Sequence, residues 1–193
     1  EGKQKKNSLI VLAIAFSLLA IPITAMQTQF LAIFKGFGME AATAVALGAL
    51  IGPSQVVARV TELSFAKKIT PLFTAISSTF LMFLGLIALI LSGYNYLVAL
   101  LFVLLYGAGQ GLSDIVRGTL PLYLFGNDGY GKTIGKLNLF RLIVTSMVPF
   151  GFAFVLENFG VKIATIGLIS VTLIAVLLLL SIKNSVKGVK IEA

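Results

Sequence analysis

The sequence predicts an all-α membrane protein, a bundle of six transmembrane helices, and three observations lead there. Hydrophobic residues make up 58% of the 193 and charged residues only 11%, against about 25% charged in a soluble domain; the mean hydropathy is +1.04. Six apolar runs are each long enough to cross a hydrocarbon layer about 30 Å thick as a helix. Lysines and arginines gather at alternate ends of those runs.

The first run, 9–33, follows the basic lead EGKQKKNS, residues 1–8. That run is too long for a signal-peptide core, so the lead reads as a cytoplasmic linker, and the chain is expected to begin inside a longer one. The other runs cover 40–62, 71–92, 95–118, 134–156 and 161–182, and residues 183–193 form a basic tail. Together 9–182 make one six-helix transmembrane domain. The connectors KGFGME, SFAKKIT, SGYNY, LFGNDGYGK and ENFGVK hold the glycines and polar residues that stop helices.

Positive residues are retained in the cytoplasm. Lys3, Lys5, Lys6, Arg59, Lys67, Lys68, Arg117, Lys132, Lys136, Arg141, Lys183, Lys187 and Lys190 fall on one side, and only Lys35 and Lys162 on the other. Both termini are therefore predicted to be cytoplasmic, in a multi-pass protein of the cell (inner) membrane. The net charge of +8 is dispersed in these clusters rather than gathered in a patch for nucleic acid. The chain has no His or Cys, which excludes zinc sites, disulfides and His-based nucleophile systems. No metal, cofactor or enzyme activity is expected.

One motif tests this picture. GNDGYGKT, Gly126 to Thr133, satisfies the phosphate-loop pattern G-x-x-x-x-G-K-[ST]. That loop cradles phosphate only between a strand and a solvated helix, and here it joins two apolar runs, so no nucleotide is expected. Its glycines are read as allowing a tight turn, with Gly131 and Gly135 permitting close helix approach. GAGQG, Gly107 to Gly111, lies inside the fourth run and reads as a helix-packing surface.

At helical spacing the polar residues form stripes. Ser17, Thr24, Gln27 and Thr28 share a face of the first span. Gly48, Gly52, Gln55, Arg59 and Glu62 do so on the second, Asn95, Tyr106, Gln110, Ser113 and Arg117 on the fourth, and Asn138, Arg141 and Thr145 on the fifth. Spans three and six are bland and read as lipid-facing. Amides and charges cost several kcal/mol in hydrocarbon unless they face protein or a wet cavity. The candidates for lining a solute path are Thr24, Gln27, Thr28, Tyr106, Gln110 and Asn138.

Arg59 with Glu62 and Asp114 with Arg117 are i, i+3 pairs, and Arg141 lies deep enough to need a partner, for which Asp114 is the first candidate. These five residues are read as anchoring pairs or as a cytoplasmic gating network. Pro22, Gly52 with Pro53, and Pro149 mark places where a helix loses a backbone bond and can bend.

These features resemble the carboxy-terminal half of a major facilitator superfamily transporter over essentially the whole chain. The resemblance rests on six spans with both ends inside, on GALIGPSQVVARVTELSFAKKITP (48–71) and on RGTLPLYLFGNDGYGKTIGKLNLFRLIVTSMVPFGFAFVLENFG (117–160). Both stretches are similar to bacterial sugar or drug efflux permeases. It implies half of that family's general transporter fold: two inverted three-helix repeats packed against a missing N-terminal six-helix half, or a second copy, across a cavity that opens alternately to each side. On it, Gln27, Thr28, Tyr106 and Gln110 would be the candidates for contact with substrate. The family's cytoplasmic loop signature is met only loosely, by Gly52, Arg59, Glu62, Lys67 and Lys68, without its Asp-Arg-x-Gly core.

The function implied is secondary active transport of a small organic solute by alternating access; proton coupling and efflux are forms the resemblance suggests, while substrate, direction and coupling ion stay open. No carboxylate lies near mid-depth, so the coupling acid is expected in the other half. The alternatives are an oligomeric channel or pore, and a non-transporting membrane assembly subunit.

Overall fold

The computed structural model describes residues 2–65, 69–93 and 95–191, with side chains for 7–65, 69–93 and 95–183. Lys67 and Lys68 lie outside the described residues, and Lys3, Lys5, Lys6, Lys187 and Lys190 outside the described side chains. Every element among the described residues is helical: α1 (Gly2–Gly36), α2 (Ala41–Ala49), α3 (Ile51–Phe65), α4 (Pro71–Ser92), α5 (Tyr96–Phe125) and α6 (Tyr130–Ile191). The basic lead is thus the first turns of α1. Five stretches are long and apolar enough to cross a membrane: Asn7–Gly36, Ala41–Phe65, Pro71–Ser92, Tyr96–Phe125 and Tyr130–Lys183.

Local chemistry explains the boundaries. The Thr70 side chain accepts the Phe73 N–H at 3.3 Å and Pro71 opens the helix, a capped start for α4. Asn95 accepts from the N–H groups of Leu97 and Val98 at 3.0 and 3.4 Å, so it caps α5 instead of joining that helix's polar stripe. The second span is divided in two. Pro53 has no N–H for the carbonyl of Ala49, α2 ends at Ala49, and α3 begins two residues later. Pro22 and Pro149, expected to bend their helices, lie inside uninterrupted helix.

The 62-residue α6 is broken at Gly160, whose φ of 80° and ψ of 166° are non-helical. A straight helix would separate Leu137 from Leu179 by roughly 60 Å, yet both belong to one cluster with Leu12, Phe16 and Leu120. The chain therefore reverses at Gly160, where the sequence places the connector ENFGVK. A second cluster gathers Phe34, Phe102, Tyr106, Met82 and Leu86 with Phe152 and Leu168 from either side of that reversal.

Helix α5 packs closely on both α4 and α3, while α1 packs on α6. Small residues set the separations. A Cβ on Gly109 would lie 2.6 Å from the Ser78 carbonyl oxygen, and one on Gly111 2.7 Å from that of Gln55. The GAGQG segment is thus a packing surface, as expected, facing α4 with Gly109 and α3 with Gly107 and Gly111. Gly131 and Gly135 have nothing within 4 Å of a built Cβ, which corrects the expectation that they admit a neighbouring helix; they stand in the first turns of α6, on open faces.

The assignment of span three to the lipid also needs correction. Helix α4 buries Thr74, Ala75, Ser78, Thr79, Met82, Gly85, Leu86 and Leu89, leaving a narrow edge of Phe73, Phe80 and Leu91 exposed. Its hydroxyls bond their own backbone, Ser78 and Thr79 to the Ala75 carbonyl at 2.9 and 2.8 Å, so a helix without a polar stripe is still a tightly packed one. The most exposed apolar faces belong to α3 (Val56, Val57, Val60, Leu63) and the first arm of α6 (Leu139, Phe140, Met147, Phe150, Phe154).

Candidate functional site: a polar cleft between three helices

Because α5 touches α1 and the first arm of α6 only sparsely, a cleft of about 110 Å³ remains between them. Helix α1 contributes Phe16, Leu19, Ala20, Ile23, Thr24 and Gln27, α5 contributes Ser113 and Arg117, and α6 contributes Arg141 and Thr145. Helix α1 thus supplies all the apolar lining together with two polar side chains, and α5 and α6 supply only polar ones. Thr145 donates its hydroxyl to the Arg141 carbonyl at 2.8 Å, a local bond that leaves the oxygen lone pairs for the cleft.

Of the six residues read from the stripes as cavity candidates, the structure brings Thr24 and Gln27 to this cleft. Thr28 stands outside it, its hydroxyl bonded to the Thr24 carbonyl at 2.9 Å. Gln110 is buried outside it, and Asn138 is half-buried, one turn along α6 from Arg141. Tyr106 is fully buried in the core, where its hydroxyl donates to the Pro22 carbonyl at 2.9 Å and its ring meets that of Phe102. It joins α1 to α5 as an internal strut, which corrects its placement on a solute path. Ser113 and Thr145 were visible as members of their stripes, three residues beyond Gln110 and four beyond Arg141, but only the crossing of α1, α5 and α6 selects them.

The charged residues form a different network from the one expected. Arg59 on α3 reaches across to α5, donating to the Asp114 carboxylate and, through Nε, to the Gly111 carbonyl at 3.2 Å. Arg117 pairs with the other oxygen of Asp114, as the i, i+3 spacing suggested. Glu62 accepts from the Thr74 hydroxyl at 3.4 Å instead of pairing with Arg59. Arg141 does not pair with Asp114, whose two oxygens meet Arg59 and Arg117. Its Nε, like that of Arg117, is buried without an acceptor.

Among the described residues no group of three His, Cys, Asp or Glu side chains comes together to hold a metal ion. The segment from Gly126 to Gly129 is a tight turn from α5 into α6, with positive φ at both glycines, and a helix feeds it where a phosphate loop requires a strand. Comparison with protein-family models, with curated proteins and with solved structures finds no match to this chain.

Proposed function

We propose that this chain is one half of a secondary transporter that moves a small organic solute across a membrane by alternating access, in the manner of the major facilitator superfamily that its sequence resembles. The observation that carries this reading is the cleft lined by Thr24, Gln27, Ser113, Arg117, Arg141 and Thr145 within apolar helices. Thr24, Ser113 and Thr145 each lie within about a turn of the midpoint of their helix or helix arm, where polar lining mainly serves a solute or ion path. The break at Gly160 supports it too, since two arms of about 30 residues each give six crossings with both termini on one side. The positive residues favour the cytoplasmic side for those termini.

The exposed apolar faces of α3 and of the first arm of α6 are surfaces that a half-transporter would present to its other half or to lipid. Immunoblotting of source membranes with an antibody to the carboxy-terminal tail gives the native polypeptide's size, and solute counterflow in vesicles then tests transport. A transporter shows accelerated exchange. Flux without acceleration indicates a pore, and no flux with a stably copurifying partner indicates an assembly subunit.

A further inference from the structure

The chain has three arginines, Arg59, Arg117 and Arg141, on three different helices, and they converge: Arg59 and Arg117 both pair with Asp114, and Arg117 and Arg141 both line the cleft. The described lysines instead sit near helix ends and turns, at 35, 132, 136, 162 and 183. Among the described residues Asp114 is the single carboxylate paired with this cluster. Two guanidiniums therefore share one acidic partner and the third has none, and the excess charge faces the cleft, where Arg141 and Arg117 contribute the lining and no acidic residue does.

The Arg141 side chain makes no hydrogen bond or ion pair among the described residues, and the buried Nε groups of Arg141 and Arg117 lack acceptors. Unsatisfied buried donors are rare in native proteins. Arg141 also lies about one helical turn from the midpoint of its α6 arm. An unpartnered arginine near a helix centre is costly in a membrane and is found facing a partner or a wet cavity. The site lacks an acceptor that carries negative charge.

We propose that the cleft is an anion site in which a carboxylate or phosphate group of the solute is held by Arg141 and Arg117, with Thr24, Gln27 and Ser113 supplying further donors. Guanidinium forks match the paired oxygens of such groups, which ammonium does not. A water needs on the order of 10–15 Å³ of cavity measured this way, so about 110 Å³ holds an oxyanion group with some of its water. Asp114 keeps Arg117 oriented without neutralising Arg141. Naming the bound group as part of a transported solute rests on the transporter reading; the anion site itself rests on the cleft.

The test uses the native polypeptide in lipid nanodiscs, with radiolabelled inorganic phosphate and acetate as separate probes in equilibrium dialysis. Saturable binding of at least one anion is expected, weakened about tenfold or more by Arg141→Gln, partly restored by Arg141→Lys and unchanged by Lys35→Gln. Phenylglyoxal labelling of the unmutated protein, read peptide by peptide, is expected to slow at Arg141 and Arg117 when the bound anion is present. No saturable binding of either anion, binding indifferent to Arg141→Gln, or labelling of Arg141 that the anions leave unchanged would each overturn the proposal. Arg141-dependent binding without counterflow sinks the transport reading and keeps the anion site. Counterflow of a neutral solute with no anion binding does the reverse.

Discussion

At the scale of single residues, what matters is which atoms a side chain meets. Gly109 and Gly131 are the same residue type in helices, but a Cβ on Gly109 would strike backbone of α4 while one on Gly131 would meet open space. Gly109→Val is expected to destabilise by about 1–3 kcal/mol, because rigid neighbours must move to admit it. Gly131→Ala is expected to stabilise by roughly 0.5–1 kcal/mol through helix propensity. Unfolding in mixed detergent micelles measures both, and equal effects would contradict the packing described. The sequence singled out both glycines as packing residues. Nothing local separates them, since the distinguishing contact comes from a helix about 30 residues away in the chain. Tyr106 carries the same lesson: its stripe position was legible, but its acceptor, the Pro22 carbonyl, lies on another helix.

At the scale of elements, Gly160 turns α6 into two packed arms. Its φ of 80° and ψ of 166° fall in a region that is essentially reserved for glycine, distinct from the left-handed helical region that asparagine tolerates. Nothing lies within 4 Å of a built Cβ, so a substitution meets only backbone strain. Gly160→Asn and Gly160→Ala are both expected to cost about 1–3 kcal/mol, again read from detergent unfolding. Rescue by asparagine would show that the turn adopts a left-handed helical conformation instead. Helix ends were well marked in the sequence where a breaker stands at the boundary, as at Thr70-Pro71, Gly126 and Gly160. The break between α2 and α3 appeared in the sequence only as a possible bend at Gly52-Pro53, because a proline's effect depends on its surroundings: α1 continues as helix through Pro22, whereas α2 ends four residues before Pro53.

At the scale of the whole molecule, the lysine and arginine asymmetry predicts a cytoplasmic turn between α5 and α6. The chain has no cysteine, so Asn127→Cys in the exposed turn gives a single labelling site. A membrane-impermeant maleimide is expected to label it in inside-out vesicles and leave it unlabelled in intact cells. Labelling from outside would invert the topology and place the cleft's arginines toward the other face. The orientation also bears on the proposed anion site, since Arg117 and Arg141 are then expected toward the cytoplasmic side.

The sequence by itself determined that the protein is helical and suited to a membrane, where most of its apolar spans begin and end, and which faces carry polar side chains. These follow from composition, breaker residues and periodicity, all of which are local properties. Only the tertiary structure decided which polar residues meet: Thr24, Gln27, Ser113 and Thr145 around a cleft, Arg59 and not Arg141 on Asp114, and Tyr106 in the core. A helical stripe records the direction of a face but not what stands opposite it. That depends on how closely helices approach, and the glycines of α5 and the reversal at Gly160 set that distance across the bundle.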